Sequence, residues 1–353
     1  NILKKEIYNV VQWSSGNVGK ASIIGIKNRN DLNLSGLIVS SQDKVGLDAG
    51  TIMGLDELGV KATDNLDIFL DKDIDCIHYT PLASYRMSED PNIDKNNIMK
   101  ILKNGINVVT TVGFLFPKAF GEDFLKEIED ACNEGQVSLH GTGYNPGWLA
   151  ELVPLAMSGM SQDIKRVIVS ESSEFSYYPS KDIVIDGMLM GKTMEEYNNE
   201  AERYESWLSG LFKESIYLIA EGLGVYVIDV EEEIKIVTAD KNFDIAAGKI
   251  KKGTISAQRR KWTGNCSENI VIIQEAIYRA SEESAPEWNE PIGITVEVEG
   301  TPKMKMSFSH DWNDDPLIST AMHGINAIPH VCDAEPGFVS FLDLPLITLK
   351  VGQ

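Results

Sequence analysis

Short apolar runs separated by small and turn-forming residues set the rhythm of the chain through residue 145. Residues 7–13 (IYNVVQW) read as a strand, Ser14 to Gly19 as a small, glycine-containing turn, and the next segment, with Ile23, Ile24 and Ile26 at helical spacing, as a helix. Strands recur at Leu34 to Ser41, Asp75 to Thr80, Asn107 to Thr111 and Gln136 to Gly141. Helical segments intervene: Asn96 to Asn104, closed by Gly105, and Gly121 to Asn133, closed near Gly135. Strands that alternate with helices predict an α/β domain, a parallel sheet with helices on both faces.

Beyond residue 160 the pattern changes. Long strand-like runs follow one another: Ile164 to Glu171, Val225 to Ala239, Ile250 to Lys261, Asn269 to Arg279 and Ile292 to Phe308. Thr193 to Glu221, ending at Gly222, has helix-forming composition. This predicts a C-terminal α+β domain on a mostly antiparallel sheet. Pro316 to Pro329 then reads as a closing helix, followed by a loop that holds Pro336-Gly337 and Asp343-Leu344-Pro345. The expected divisions are 1–150 for a dinucleotide-binding domain, 151–315 for a substrate domain and 316–353 for a C-terminal segment.

Composition narrows the function classes. With 43% apolar residues over 353 positions, the chain can bury a substantial core, which excludes disorder as its main state. The formal charge of 32 − 53 = −21 argues against nucleic acid or an anionic membrane as partner, since both reward Lys and Arg. Cys76, Cys132, Cys266 and Cys332 lie far apart, with no CxxC pair and no metal-ligand spacing, so they read as reduced thiols and no metal is expected. No apolar run reaches the roughly 20 residues that span a bilayer. Asn1 to Lys5 leads directly into a strand without a signal-peptide core, and the chain does not begin with Met, which suggests a short leader or tag before it. A reducing cytoplasm is the expected location.

Trp13-Ser14-Ser15-Gly16-Asn17-Val18-Gly19-Lys20 sits where a dinucleotide-binding turn belongs, after the first strand and opening the first helix. Ser14, Ser15, Gly16, Asn17, Val18 and Gly19 are the candidate phosphate cradle, because small residues let backbone N–H groups approach a pyrophosphate. The usual first glycine is missing; Trp13 or Ser14 takes its place, depending on the alignment. A plain tight turn is the competing reading. At the tip of the second strand, Ser40, Ser41 and Lys44 suit a ribose 2′-phosphate, so NADP(H) is preferred and NAD(H) is possible, with Asp43 as the contrary feature. A merely solvated turn fits Ser40 to Lys44 equally well. Thr80, Pro81, Thr110 and Thr111 end the third and fourth strands, where an open parallel sheet meets its ligand, although they can also serve only as strand residues.

The turn VVQWSSGNVGK, the segment HGTGYNPGW (His140 to Trp148) and the stretch TAMHGINAIPHVCDAEPGFVSFLDLP (Thr320 to Pro345) together resemble the 2,4-diaminopentanoate dehydrogenase family, which is related to dihydrodipicolinate reductase and includes native amine dehydrogenases. The resemblance implies an N-terminal Rossmann domain, an α+β catalytic and dimerisation domain, and a final helix that returns to pack on the first. It implies NAD(P)-linked chemistry at a carbon–nitrogen bond. By that likeness Gly16 to Gly19 cradle the pyrophosphate, Asn145-Pro146-Gly147 lie by the nicotinamide, and the Thr320 to Asn326 helix lines the substrate pocket. Two departures stand out. The paired-histidine, lysine-containing motif of the reductases is absent. The acidic pair that amine dehydrogenases of the family carry ahead of an aromatic-proline falls, aligned on Phe116-Pro117, at Val112 and Gly113, neither of which holds a proton.

Other groups are therefore candidates for the chemistry: His140, Glu171, Glu174, Tyr177, Tyr178 and His323. If extended, Tyr177 and Tyr178 point opposite ways, so at most one faces a pocket. His323 and Asn326 share a helix face. Each also has a bland reading, from a histidine satisfied by carbonyls to a solvated carboxylate. The apolar stretch Val112 to Phe116 favours a hydrophobic substrate. Lys251-Lys252 and Arg259-Arg260-Lys261 read as a solvated sheet edge that resists aggregation rather than an anion site. Three functions remain: an NAD(P)H-dependent oxidoreductase moving hydride to or from a C=N or C–NH2 carbon of a small molecule, an NADP(H)-dependent reductase of a carbonyl or conjugated alkene, and a non-catalytic nucleotide-binding protein. A homodimer is expected by analogy.

Overall fold

The valine-rich run after residue 7 forms β1 (Tyr8–Trp13), whose Val10, Val11 and Gln12 have no exposed surface. The computed structural model describes residues 5–83, 90–309 and 315–351, so the reading of the chain's start at Asn1 lies outside the described residues. Small residues then turn the chain into α1 (Asn17–Lys27), followed by β2 (Leu32–Ile38). The segment after β2 holds three short elements that its mixed composition conceals, α2 (Ala49–Met53), β3 (Ala62–Thr63) and α3 (Asp67–Leu70). Next come β4 (Cys76–Tyr79), α4 (Ile93–Lys103), β5 (Asn107–Thr110), α5 (Glu122–Gly135) and β6 (Ser138–Gly141).

From Trp148 the chain builds a second compact unit. It comprises α6 (Leu152–Ser158), β7 (Asp163–Glu174), α7 (Met194–Leu223), β8 (Val227–Thr238), the small hairpin β9 (Phe243–Ile245) and β10 (Gly248–Ile250), β11 (Ile255–Cys266), β12 (Val271–Arg279), β13 (Gly293–Thr301) and β14 (Met304–Phe308). The larger sheet has the order β14-β13-β7-β12-β11-β8, and only β7 and β12 run parallel. A capping box of Thr193 and Glu196 starts α7, and Gly224 in the left-handed conformation ends it. Its apolar face packs on the sheet, with Phe212 stacked on Trp262 at 4.3 Å.

Three expectations for this unit need correction. The run Ile250 to Lys261 is two strands, because Lys251 to Thr254 form a polar turn with Gly253 at φ 83°. The run Ile292 to Phe308 is the hairpin β13–β14, broken where Pro302 lacks an N–H for the ladder. Arg259-Arg260-Lys261 is no solvated edge, since β11 lies between β12 and β8, whereas Lys251 and Lys252 are exposed in the turn before it. Arg260 is wholly buried and donates to the Tyr197 hydroxyl at 2.6 Å, while Arg259 and Lys261 pair with Glu275 and Glu233.

The C-terminal stretch rejoins the first unit through α8 (Asp315–Cys332) and β15 (Gly337–Phe338). Where a loop was expected, β15 pairs with β6 and completes a parallel sheet of order β15-β6-β5-β4-β1-β2-β3. Ile325, Ile328 and Val331 of α8 bury themselves among Tyr8, Val10, Ile26 and Cys76, so this helix and α1 share one face of the sheet. Among the described residues no helix is long and apolar enough to cross a membrane.

Candidate nucleotide site and the polar groups beneath it

At the carboxyl end of β1 the chain turns at Ser14, whose φ of 96° lies in the left-handed region. Ser14 thus holds the backbone conformation that a glycine would take without strain. A side chain there is held at a conformational cost. Ser14 donates its N–H to Ile38 O at 2.8 Å, and its hydroxyl accepts from Gly16 N at 3.3 Å. Gly16 begins α1 without a side-chain cap, and the first turn carries no acidic residue, so the amides of Asn17, Val18 and Gly19 keep their affinity for an anion. At Gly19 a Cβ would lie 2.1 Å from Ser14 O, so only glycine lets the helix start this close to the strand.

The end of β2 leads into a short 3-10 turn, Gln42 to Lys44. Ser40 and Ser41 are exposed, and the Lys44 ammonium reaches back to donate to the Ser15 hydroxyl at 3.0 Å. Lys44 and the turn after β1 are thus one constellation. Gln42 instead donates to Asp64.

Under the turn lies a buried polar network. Gln12 of β1 and His78 of β4 are register partners, and His78 Nδ1 and Gln12 Oε1 are 2.9 Å apart. The Gln12 amide nitrogen donates to Trp13 O at 2.9 Å and to the Thr80 hydroxyl at 2.8 Å, with Ser14 O at 3.4 Å. Thr80 in turn donates to Trp13 O at 3.0 Å. Thr110 is similarly engaged, donating to Tyr79 O and accepting from Val112 N. Pro81 and Thr111 follow these strands, and Thr111 donates its N–H to Tyr79 O.

Past β5, Gly113 at φ 124° and Phe114 at φ 59° bend the chain, and Gly141 lies where any Cβ would meet Phe114 O at 2.2 Å. The turn after β6 contains the cis Asn145–Pro146 bond and is folded so tightly that a Cβ at Gly143 would meet Pro146 O at 2.6 Å. Thr142 opens this turn, and its hydroxyl lies 2.7 Å from His323 Nδ1 of α8. His140 faces elsewhere: its Nδ1 contacts Val339 O at 2.7 Å and its ring meets Phe341. Asn326, on the same helix as His323, accepts from Arg29 beyond the C-terminal end of α1.

Burial holds His78, His140 and His323 neutral. It pushes His78 and His323 down to about 3, the latter also through nearby His140, and His140 to about 4, where burial outweighs the Val339 carbonyl and Asp343. The unfolded chain titrates these rings near 6.5, so between that pH and about 3 it binds protons the folded chain refuses. Stability is full above pH 6.5 and falls as pH drops through this window, by about 1.4 kcal/mol per pH unit for each ring. Urea midpoints at pH 7 and pH 5 check this above the carboxylate range; a midpoint that does not drop would mean solvated rings.

In the second unit, Glu171 of β7 accepts from the Ser173 hydroxyl at 2.9 Å, and buried Glu174 accepts from Ser176 N. Tyr177 and Tyr178 lie in a turn rather than an extended strand: Tyr178 N donates to Phe175 O, and its ring packs edge-on against Phe175. The structure thus gathers Ser14 to Gly19, Lys44, Thr80 and Thr110 at strand ends of one parallel sheet, with the His323–Thr142 contact at the end of β6. Glu171 and Tyr178 belong to the other unit. Among the described residues no three His, Cys, Asp or Glu side chains are placed to hold a metal. Sequence reading passed over Gln12, His78 and Thr142. The available signal was a glutamine and a histidine inside strands that, in a parallel sheet covered on both faces, run apolar.

Comparison with known proteins is consistent across sequence and fold. Residues 149–353 match the model of the 2,4-diaminopentanoate dehydrogenase C-terminal domain. The chain is 27% identical to an amine dehydrogenase of Streptomyces virginiae over 96% of each chain. It is 26% identical to a 2,4-diaminopentanoate dehydrogenase of Acetoanaerobium sticklandii, over 73% of this chain and 72% of that one. In three dimensions it superposes on the amine dehydrogenase of Mycobacterium smegmatis with a TM-score of 0.80 at 18% identity, covering 97% of both.

Proposed function

The chain belongs to the 2,4-diaminopentanoate dehydrogenase family, and on that premise we propose that it is a nicotinamide-nucleotide-dependent oxidoreductase acting at the carbon of a C=N or C–NH2 bond. The observation that carries the nucleotide part is the turn itself. Its uncapped first helical turn, and a Gly19 whose Cβ would strike Ser14 O, make a backbone cradle of the kind a pyrophosphate needs. The bound nucleotide would supply or accept the hydride. Ser14 to Gly19 hold the diphosphate, and Lys44, already beside Ser15, favours the 2′-phosphate of NADP(H) over NAD(H).

For the reacting end, His323 with Thr142 is the pair favoured to hold or orient a proton, because both stand at the carboxyl end of β6 where the turn through Asn145 and Pro146 begins. His140 is committed to Val339 O. The segment Val112 to Phe116 carries no charge, which supports a small hydrophobic substrate. A second reading, reduction of a carbonyl or conjugated alkene, is favoured by Gly113: at φ 124° a carboxylate-bearing side chain there would be strained, so an acidic pair does not fit this backbone. Cytoplasmic location, in keeping with four free thiols, and homodimeric assembly complete the proposal.

A substrate panel followed by the absorbance of the reduced nicotinamide tests it. Hydrophobic ketones turned over only with ammonia support the first reading, and turnover without ammonia supports the second. Exclusive use of charged amino acids overturns the hydrophobic assignment. Tight nucleotide binding with no turnover across the panel points to a non-catalytic protein.

A further inference from the structure

Gln12 is wholly buried in β1, where a hydrophobic residue of the same size would cost the sheet nothing in hydrogen bonds. Burying an unsatisfied amide is costly, so its partners define its purpose. Two carbonyl oxygens, of Trp13 and Ser14, lie beside the nitrogen, which fixes the amide with its N–H groups toward the turn. Its oxygen must then accept from His78, which makes His78 the Nδ1–H tautomer. His78 Nε2 has no hydrogen-bond partner, and it faces α8 where a Cβ on Gly324 would come within 2.3 Å. The ring is clamped between the helix and the amide, and the amide between the ring and the turn.

The turn needs such a clamp. Ser14 holds a left-handed conformation that a serine does not prefer, and its carbonyl is the atom against which Gly19 is packed. The Gln12 nitrogen would lie 3.5 Å from a Cβ on Gly19, so it sits directly under the first turn of α1. A peptide flip or relaxation at Ser14 would move the amides that face the ligand.

We infer that Gln12 is the positioning residue of the nucleotide site: its side-chain amide, braced from behind by His78, holds Trp13 O and Ser14 O so that Ser14 stays in the left-handed conformation and the amides of α1 stay aligned. The inference rests on the nucleotide-binding reading above.

The test is a rescue. Gln12→Met keeps the volume but removes the clamp, and weaker positioning is expected to raise the calorimetric Kd for NADPH about ten-fold, the size of one or two lost hydrogen bonds. Glycine takes the φ of Ser14 without strain, so Ser14→Gly in the Gln12→Met background is expected to restore affinity to within about three-fold of the Ser14→Gly single variant. A packing defect in the sheet would not be rescued from position 14. Gln12→Met binding as tightly as wild type, or a double variant no better than Gln12→Met, overturns the inference. Should Gln12→Met not fold, the wild type decides: the Gln12 side-chain amide and His78 Nδ1 resonances are expected to shift on adding NADPH, and resonances that stay put refute the clamp. Wild-type protein that binds neither NADPH nor NADH would instead sink the nucleotide reading itself.

Discussion

Gly19→Ala is expected to weaken nucleotide binding by at least about a hundred-fold, because sub-ångström to 1 Å errors in a preorganised site cost that much. The new Cβ would meet Ser14 O at 2.1 Å and the Ser14 carbonyl carbon at 2.8 Å, and both are backbone atoms that cannot swing aside. Either α1 lifts from the strand or the turn opens, and either movement scatters the amides of its first turn. Thermal stability should fall as well, since the displaced helix packs against α8. Gly16→Ala is the informative contrast. There a Cβ would meet only the Ser14 hydroxyl, at 3.7 Å, so the folded protein has room for it. An unchanged melting temperature with weakened binding would locate the ligand at Gly16. Calorimetric titration with NADPH, alongside thermal unfolding, separates the two variants, and a Gly19→Ala protein that binds normally would remove the cradle from the mechanism.

Lys44→Glu is expected to invert the cofactor preference, changing the ratio of NADPH to NADH affinity by about two orders of magnitude through a lost charge-assisted contact and a new repulsion. Lys44 is the suitable target because its ammonium already points at the phosphate turn, donating to Ser15. Asp43, exposed in the same short 3-10 turn, is the contrary feature, since a carboxylate suits the ribose hydroxyls of NAD(H). Dissociation constants for both nucleotides, measured on wild type and variant, give the ratio; a ratio that does not move dismisses the lysine as a specificity determinant.

How far the residues themselves announced these features depends on how local the physics was. The alternation of apolar runs with helical spacing located β1, β4, β5 and β6 closely, because buried parallel strands are continuous in hydrophobicity. The strand β15 was hidden, since two residues carry no periodicity and Gly337 and Phe338 gain their identity only by pairing with β6. Arg260 was misjudged for a similar reason. Its neighbours in sequence are charged, but alternation turns it alone toward α7, where Tyr197 receives it. The candidate site was half legible. Glycines at 16 and 19 mark the turn, whereas Ser14 in a glycine's conformation and the Gln12–His78 contact become visible only when strands are set side by side.

The return of residues 315–351 to the first sheet has a consequence for how this protein is made. During synthesis the amino-terminal strands emerge first, yet the face that α8 will cover, with Tyr8, Val10 and Cys76, stays uncovered until residues 315–332 have been made. The stretch Trp148–Asn313, which supplies most of the second unit, is made before α8. That face of the first sheet therefore cannot be completed until the residues of the second unit have been made.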